Sequence, residues 1–170
     1  MLLSGGVGGR PLSGQSGSDS PPATAAPAGA APLRVEGDVP VPISLSRGDL
    51  LKLPRLDERV KDRGGNDVVY SGTPLAEVLR AAGMKFDPAA MPGRGADSSY
   101  VLVEAKDGYR VVFALSEVDP TLASQVVLLA DTKDGQPLTP ADGPWRIVVP
   151  ADKRPARWVR QVTAISVHKG

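Results

Sequence analysis

Gly135-Gln136-Pro137-Leu138, then Gly143-Pro144-Trp145-Arg146-Ile147-Val148-Val149-Pro150, then Lys153-Arg154-Pro155-Ala156-Arg157-Trp158-Val159-Arg160 follow one another toward the C-terminal end, and residues 162–167 complete the stretch. Ile147-Val148-Val149 is a buried-strand signature. It stops at Pro150, which has no N–H to continue a ladder. A basic, aromatic loop comes next, and the strand-like residues 162–167 are expected to close the domain. Both tryptophans and five of the twenty Lys+Arg residues lie in this stretch. An apolar strand that delivers such a loop can build an anion-binding rim. The competing interpretation makes Trp145 and Trp158 core residues and the arginines solvated, since exposed Arg near strand ends is common.

Composition narrows the possible functions. The chain has 170 residues, 41% of them hydrophobic and 4% aromatic, with a net charge of +1. That length suits one domain plus a tail, and the charge lacks the basic excess of a nucleic-acid binder. Charge is uneven, however. Residues 33–151 carry 14 basic and 17 acidic side chains, whereas residues 152–170 carry five basic and one acidic. The positive field is therefore local to the C-terminal end. With no cysteine, thiolate metal ligands, disulfides and cysteine nucleophiles are excluded. His168 is the single histidine, which argues against a Ser-His-Asp triad or a multi-histidine metal site. No apolar run approaches a membrane span.

Residues 1–32 read as a disordered tail: Gly, Ser, Ala and Pro fill 23 of the 32 positions, leaving little apolar surface to offset ordering entropy. The Ala-rich run to Ala31 resembles the segment just after a signal sequence that starts further upstream, and suggests an exported, periplasmic protein. Residues 33–170 read as the folded domain. Positions 33–45 alternate with period two, broken around Pro40 and Pro42. Ser46-Arg47-Gly48-Asp49 has the form of a capping box for a short helix over 47–51. Residues 56–71 read as a hairpin turning at Gly64-Gly65-Asn66-Asp67. Thr73 is expected as an N-cap and Pro74 as the first helical residue, with Leu75, Val78, Leu79 and Ala82 on one face and Gly83 as the stop. Residues 87–98 read as a loop. Asp107-Gly108 joins strands at 100–103 and 109–114, residues 115–118 form a short helix or turn, and the run 126–130 reads as a strand buried on both faces.

Candidate site residues concentrate near the end of the chain. Arg154 and Arg157, beside Trp158 and Lys153, can grip a phosphate or sulfate bidentately. Tyr109 and Trp145 line a pocket or fill the core. The aspartates at 107, 131, 134 and 142 sit at turns, which their turn chemistry explains. Asp131-Thr132-Lys133-Asp134-Gly135 lacks the spacing and final Glu of a calcium loop, so no metal ligand is assigned. No catalytic residue emerges.

These motifs together resemble a known family. Tyr70-Ser71-Gly72-Thr73-Pro74-Leu75 with Leu79 and Gly83 is similar to a segment of sulfite oxidase-type molybdopterin-binding domains. Asp107-Gly108-Tyr109, Phe113-Ala114-Leu115, Gly135-Gln136-Pro137-Leu138, residues 143–150 and Arg157-Trp158-Val159 match in the family's order. The resemblance implies a mixed α+β fold, mainly β-sheet with a few short helices. It also implies a molybdenum–pterin cofactor and redox chemistry on small oxo-substrates such as sulfite or sulfoxides. Arg157-Trp158 then stands where the family has a basic residue and a Trp near the pterin phosphate, with Arg154 beside them, and Lys153 and Tyr109 join the candidate cofactor-binding set.

The departures from the family bear on function. The family holds molybdenum through a cysteine thiolate located before the Tyr70–Gly72 segment, and this chain has none. The pterin-holding histidines of larger members have no counterpart, and no segment reads as their extra C-terminal domain. Three functions are then open. The first is a module that binds a pterin phosphate or another small anion without thiolate-ligated molybdenum. The second is a molybdopterin-dependent oxidoreductase with other ligands or a partner protein. The third is an exported structural or interaction domain with a vestigial pocket.

Overall fold

The computed structural model describes residues 31–62, 64–86 and 98–170. Two five-stranded sheets carry the fold. In the first, β1 (Leu33–Gly37) pairs with β2 (Ile43–Leu45) on one side and with β10 (Val162–Lys169) on the other. β10 continues to β5 (Ser99–Ala105), which pairs with the edge strand β6 (Arg110–Ala114). The β1–β10 pairing is parallel, and the other pairings of this sheet are antiparallel. In the second sheet β3 (Leu56–Lys61) pairs with β4 (Asp67–Pro74), and β4 with β7 (Leu128–Lys133). The far side of β7 takes the two-residue β8 (Gln136–Pro137) and β9 (Arg146–Val148). The expected mixed, mainly β fold is the fold observed.

Among the described residues three short α-helices close the core. α1 (Arg47–Leu50) begins with the expected capping box: Ser46 Oγ accepts from Asp49 N at 3.2 Å and the Asp49 carboxylate accepts from Ser46 N at 3.1 Å. α2 (Leu75–Ala81) buries Leu75, Val78 and Leu79 and ends before Gly83, whose φ of +86° suits a residue without a side chain. The expected start of α2 needs correction. Thr73 is the penultimate residue of β4 and Pro74 is the N-cap, which makes no side-chain bond. The Thr73 hydroxyl donates instead to Leu50 O at 3.4 Å, fastening β4 to α1. α3 is Leu115–Val118. Among the described residues no helix is long and apolar enough to cross a membrane. The expected tail lies outside the described residues except at its end, as does nearly all of the 87–98 loop.

The main core joins the inward faces of both sheets. Val35, Val101, Val103, Phe113, Ile165 and Val167 come from the first, and Leu129 and Ile147 from the second. β7 and β9 are buried on both faces, as a continuous apolar run requires. Leu129 and Ile147 face the main core. Leu128, Ala130 and Val148 face a second, smaller cluster with Val60, Val68 and Tyr70. β7 begins two residues later than the expected strand and runs on to Lys133, because its polar end still pairs with β4 and β8. This continuation puts Lys133 in ladder register with Tyr70.

Candidate functional site

Tyr70 of the second cluster and Trp158, packed against it, form the aromatic floor of a cleft of about 630 Å³. Strand alternation sets up that floor. In β9, Ile147 points to the main core, so Arg146 points the opposite way, toward Tyr70 and Trp158. The Arg146 guanidinium carbon lies 5.6 Å from the Tyr70 ring centroid and 5.9 Å from that of Trp158. The two rings meet edge-on at 6.1 Å. Asp142 accepts from Arg146 Nη1 at 2.9 Å. Arg146 Nε is buried with no acceptor among the described residues. Trp158 is held in turn by its indole N–H, which donates to Val149 O at 3.1 Å.

Charge around this floor is mainly positive. Lys61, Lys133, Arg146, Lys153 and Arg160 line the cleft, with Asp62, Asp142 and Asp152 as the acids. Each acid is already engaged. Asp62 accepts from the amides of Asn66 and Gly64 in its own hairpin turn, at 2.9 and 2.8 Å. The Asn66 amide and side chain hold its carboxyl below the ordinary range, and the nearby Lys133 contributes. Asp142 is taken by Arg146, and Asp152 by Arg157 at 2.6 and 3.1 Å. Lys61 pairs with Asp67 at 3.0 Å. Lys133, Lys153 and Arg160 make no ion pair among the described residues; Asp62, held by neutral amides, offsets part of their charge, and the cleft keeps a net positive charge.

The residues expected from sequence separate into two groups. Lys153 and Trp158 line the cleft. Arg154 is exposed beside it. Arg157 is consumed elsewhere: it binds Asp152, reaches Glu117 on α3 at 3.0 Å, and lies 4.7 Å over the Phe113 ring. The Asp152 hydrogen bonds and the Glu117 carboxylate together push its pKa further up. Tyr109 lies in the β5–β6 turn, one residue before β6, and its hydroxyl donates to Ala156 O at 2.9 Å. Trp145 belongs to the core, at 2% exposure. Lys61, Tyr70, Lys133, Arg146 and Arg160 were not selected from sequence. Arg146 was legible, since it flanks an inward-facing Ile in a strand. Lys61 and Lys133 gave no local signal, because only the pairing of β3, β4 and β7 brings them together.

The sequence profile of the family described as "Oxidoreductase molybdopterin binding domain" matches residues 23–170. The chain belongs to this family. Of solved structures, the sulfane dehydrogenase SoxCD from Paracoccus pantotrophus superposes with a TM-score of 0.64 at 21% identity. The match covers 82% of this chain and 38% of that one, so the likeness is one of fold and this chain spans well under half the length of its neighbour. No curated relative matches the chain.

Family membership raises the question of whether these residues suit the cofactor. The β3–β4 hairpin lies in the segment where the resemblance puts the metal-holding cysteine. Here it supplies Lys61 and Asp62 to the cleft. The whole chain has no cysteine, and the described residues hold no group of three or more His, Cys, Asp or Glu suited to a metal. This donor set does not fit a molybdenum ligated by protein thiolate. The cationic cleft does fit a phosphate group, through Lys133, Arg146, Lys153 and Arg160.

Proposed function

We propose that the domain binds the phosphate-bearing end of a pterin, or a comparable small anion, in the cleft over Tyr70 and Trp158, without thiolate-ligated molybdenum. The observation that supports this most is the excess positive charge that Lys133, Lys153 and Arg160 keep over Asp62 beside an aromatic wall. An anion placed there is partly desolvated, and charge-assisted hydrogen bonds contribute on the order of 1.5–3 kcal/mol each. Arg146 is already turned toward the same space by its strand and held by Asp142, so little side-chain entropy is lost when it accepts a ligand. In this reading Arg146 takes the part that the sequence suggests for Arg154 and Arg157.

Calorimetric titration with a pterin phosphate and with inorganic pyrophosphate tests the proposal. The double substitution Lys153→Ala/Arg160→Ala is expected to weaken binding at least tenfold, about 1.4 kcal/mol, with thermal stability kept. Failure of the wild type to bind either probe, or equal binding by the double variant, overturns the proposal. Elemental analysis of protein produced with molybdate separates it from the oxidoreductase alternative: about one molybdenum per chain would restore protein-bound metal chemistry.

A further inference from the structure

Asp152, Lys153, Trp158 and Arg160 all reach the cleft from the segment between β9 and β10. That segment contains one 3-10 turn, Pro155–Arg157; Gln161 anchors its end to Asp142 O at 3.0 Å and Pro140 O at 2.7 Å, while the backbone amides of residues 152–159 donate over short range. Asp152 N donates to Val149 O at 3.0 Å, Ala156 N to Arg154 O at 2.8 Å and Val159 N to Arg157 O at 2.9 Å. Bonds of this kind shape a loop without fixing it to the body of the protein. Val159 O, accepting from Ile147 N at 2.8 Å, ties the far end of the loop to β9. The middle of the loop is tied by the Trp158 indole N–H to Val149 O at 3.1 Å and by two further side-chain contacts. One is Tyr109 Oη to Ala156 O. The other is Arg157, and all three nitrogens of its guanidinium are used. Nε and Nη2 hold Asp152 within the loop at 3.1 and 2.6 Å, and Nη1 crosses to Glu117 Oε1 at 3.0 Å. Glu117 is itself fixed by Ala114 N at 3.0 Å and Gln125 Nε2 at 3.2 Å.

We infer that Arg157 is a positioning residue, which clamps the loop to α3 and so sets Lys153, Trp158 and Arg160 over the cleft, rather than a contact of the bound anion. The inference rests on the anion-binding function proposed above and adds the device that holds its loop in place. A planar fork suits the task, because it spans two carboxylates at once in a fixed geometry.

Glu117→Gln gives the two roles of Arg157 opposite signs. Glu117 does not line the cleft, and glutamine retains an acceptor for the Ala114 amide. If Arg157 contacts the anion, removing a nearby negative charge frees the guanidinium and tightens binding. If Arg157 is a clamp, the same change loosens the loop and weakens binding despite the added positive charge. The probes are inorganic pyrophosphate, followed by calorimetry, and acrylamide quenching of tryptophan emission. Trp145 is buried at 2% exposure, so the quenchable emission reports Trp158. The expected result is at least threefold weaker pyrophosphate binding together with more efficient quenching. Unchanged or tighter binding, or unchanged quenching, overturns the clamp while leaving the anion site standing. A wild type that does not bind pyrophosphate overturns this role, and altered quenching in the variant then shows that the tether restrains the loop without serving a ligand.

Discussion

Replacing Gly72 with alanine tests the account of the second sheet most directly. Gly72 lies opposite Ala130 in the β4–β7 ladder, next to a register shift between Ser71 and Gly72. A Cβ built there would sit 2.5 Å from Ala130 Cα and 2.7 Å from Leu129 C, and against the Leu129 carbonyl oxygen as well. Carbon atoms pack at about 3.5–4.0 Å, so the two strands must part by roughly 1 Å at this point. The obstacle is backbone, which cannot rotate aside as a side chain would. Parting the strands takes two or three ladder bonds beyond hydrogen-bond range, at about 1 kcal/mol each. It also displaces the fully buried Leu128 and Leu129, at an overpacking cost of about 1–3 kcal/mol. The expected loss is therefore on the order of 3–6 kcal/mol, a large share of the roughly 5–15 kcal/mol that stabilises a domain. In urea denaturation, a slope of about 2 kcal/mol/M converts this to a midpoint lowered by roughly 2 M. Gly48→Ala is the control: its nearest neighbour is Ser46 Oγ at 3.7 Å and it lies in α1, so no loss is expected there. A Gly72→Ala midpoint within about 0.3 M of wild type would refute the claim that this contact excludes a side chain.

Two further outcomes are expected. Asp131, with 3% side-chain exposure, is held bidentately by Arg55 at 2.6 and 3.2 Å. Arg55→Ala leaves that carboxylate buried without its partner and is expected to cost about 2–3 kcal/mol, below the full buried-pair penalty because Arg55 itself is 29% exposed. Thermal unfolding of Arg55→Ala checks this, and a change of less than about 0.5 kcal/mol would place the pair among ordinary surface contacts. The second outcome concerns pH. Burial pushes the Glu117 carboxyl up, but the Ala114 amide, the Arg157 guanidinium and the Gln125 amide outweigh it and hold its pKa below the ordinary 4.5. A carboxylate lowered on folding stabilises the protein above its unfolded pKa, and that contribution fades as pH falls through the folded value. The stability gap between wild type and Glu117→Gln is thus expected to shrink as pH is lowered from roughly 5 to 3. A gap constant across that range would show that the Glu117 charge plays no part.

Local chemistry made most of the elements legible. The capping box at Ser46–Asp49, the turn at Asp107-Gly108 and the apolar face of Leu75, Val78 and Leu79 each depend on neighbours within a few residues. Thr73 misled because its type and the following proline suit a helix start equally well, while pairing with Leu129 on β7 kept it extended. The site was harder to read. Lys153 and Trp158 stood out through their cluster. Arg157 also binds two acids that a linear sequence does not connect to it: Asp152, brought close by the 3-10 turn, and Glu117, brought close by the docking of α3. Lys61 and Lys133 meet the loop through long-range strand pairing, which leaves no mark in either local sequence.

The parallel pairing of β1 with β10 has a consequence for how the protein comes to be made. β10 is the central strand of its sheet, flanked by β1 from the opposite end of the described chain and by β5. During synthesis β1, β2, β5 and β6 all emerge before the strand that joins them, so the first sheet must wait as two separate hairpins with bare inner edges. Contacts of such large sequence separation slow folding, because the loop they close is long. Until β10 leaves the ribosome, the inner edges of β1 and β5 remain open to pairing with other chains. Ribosome-bound chains that end before residue 162 are therefore expected to be the aggregation-prone form of this protein.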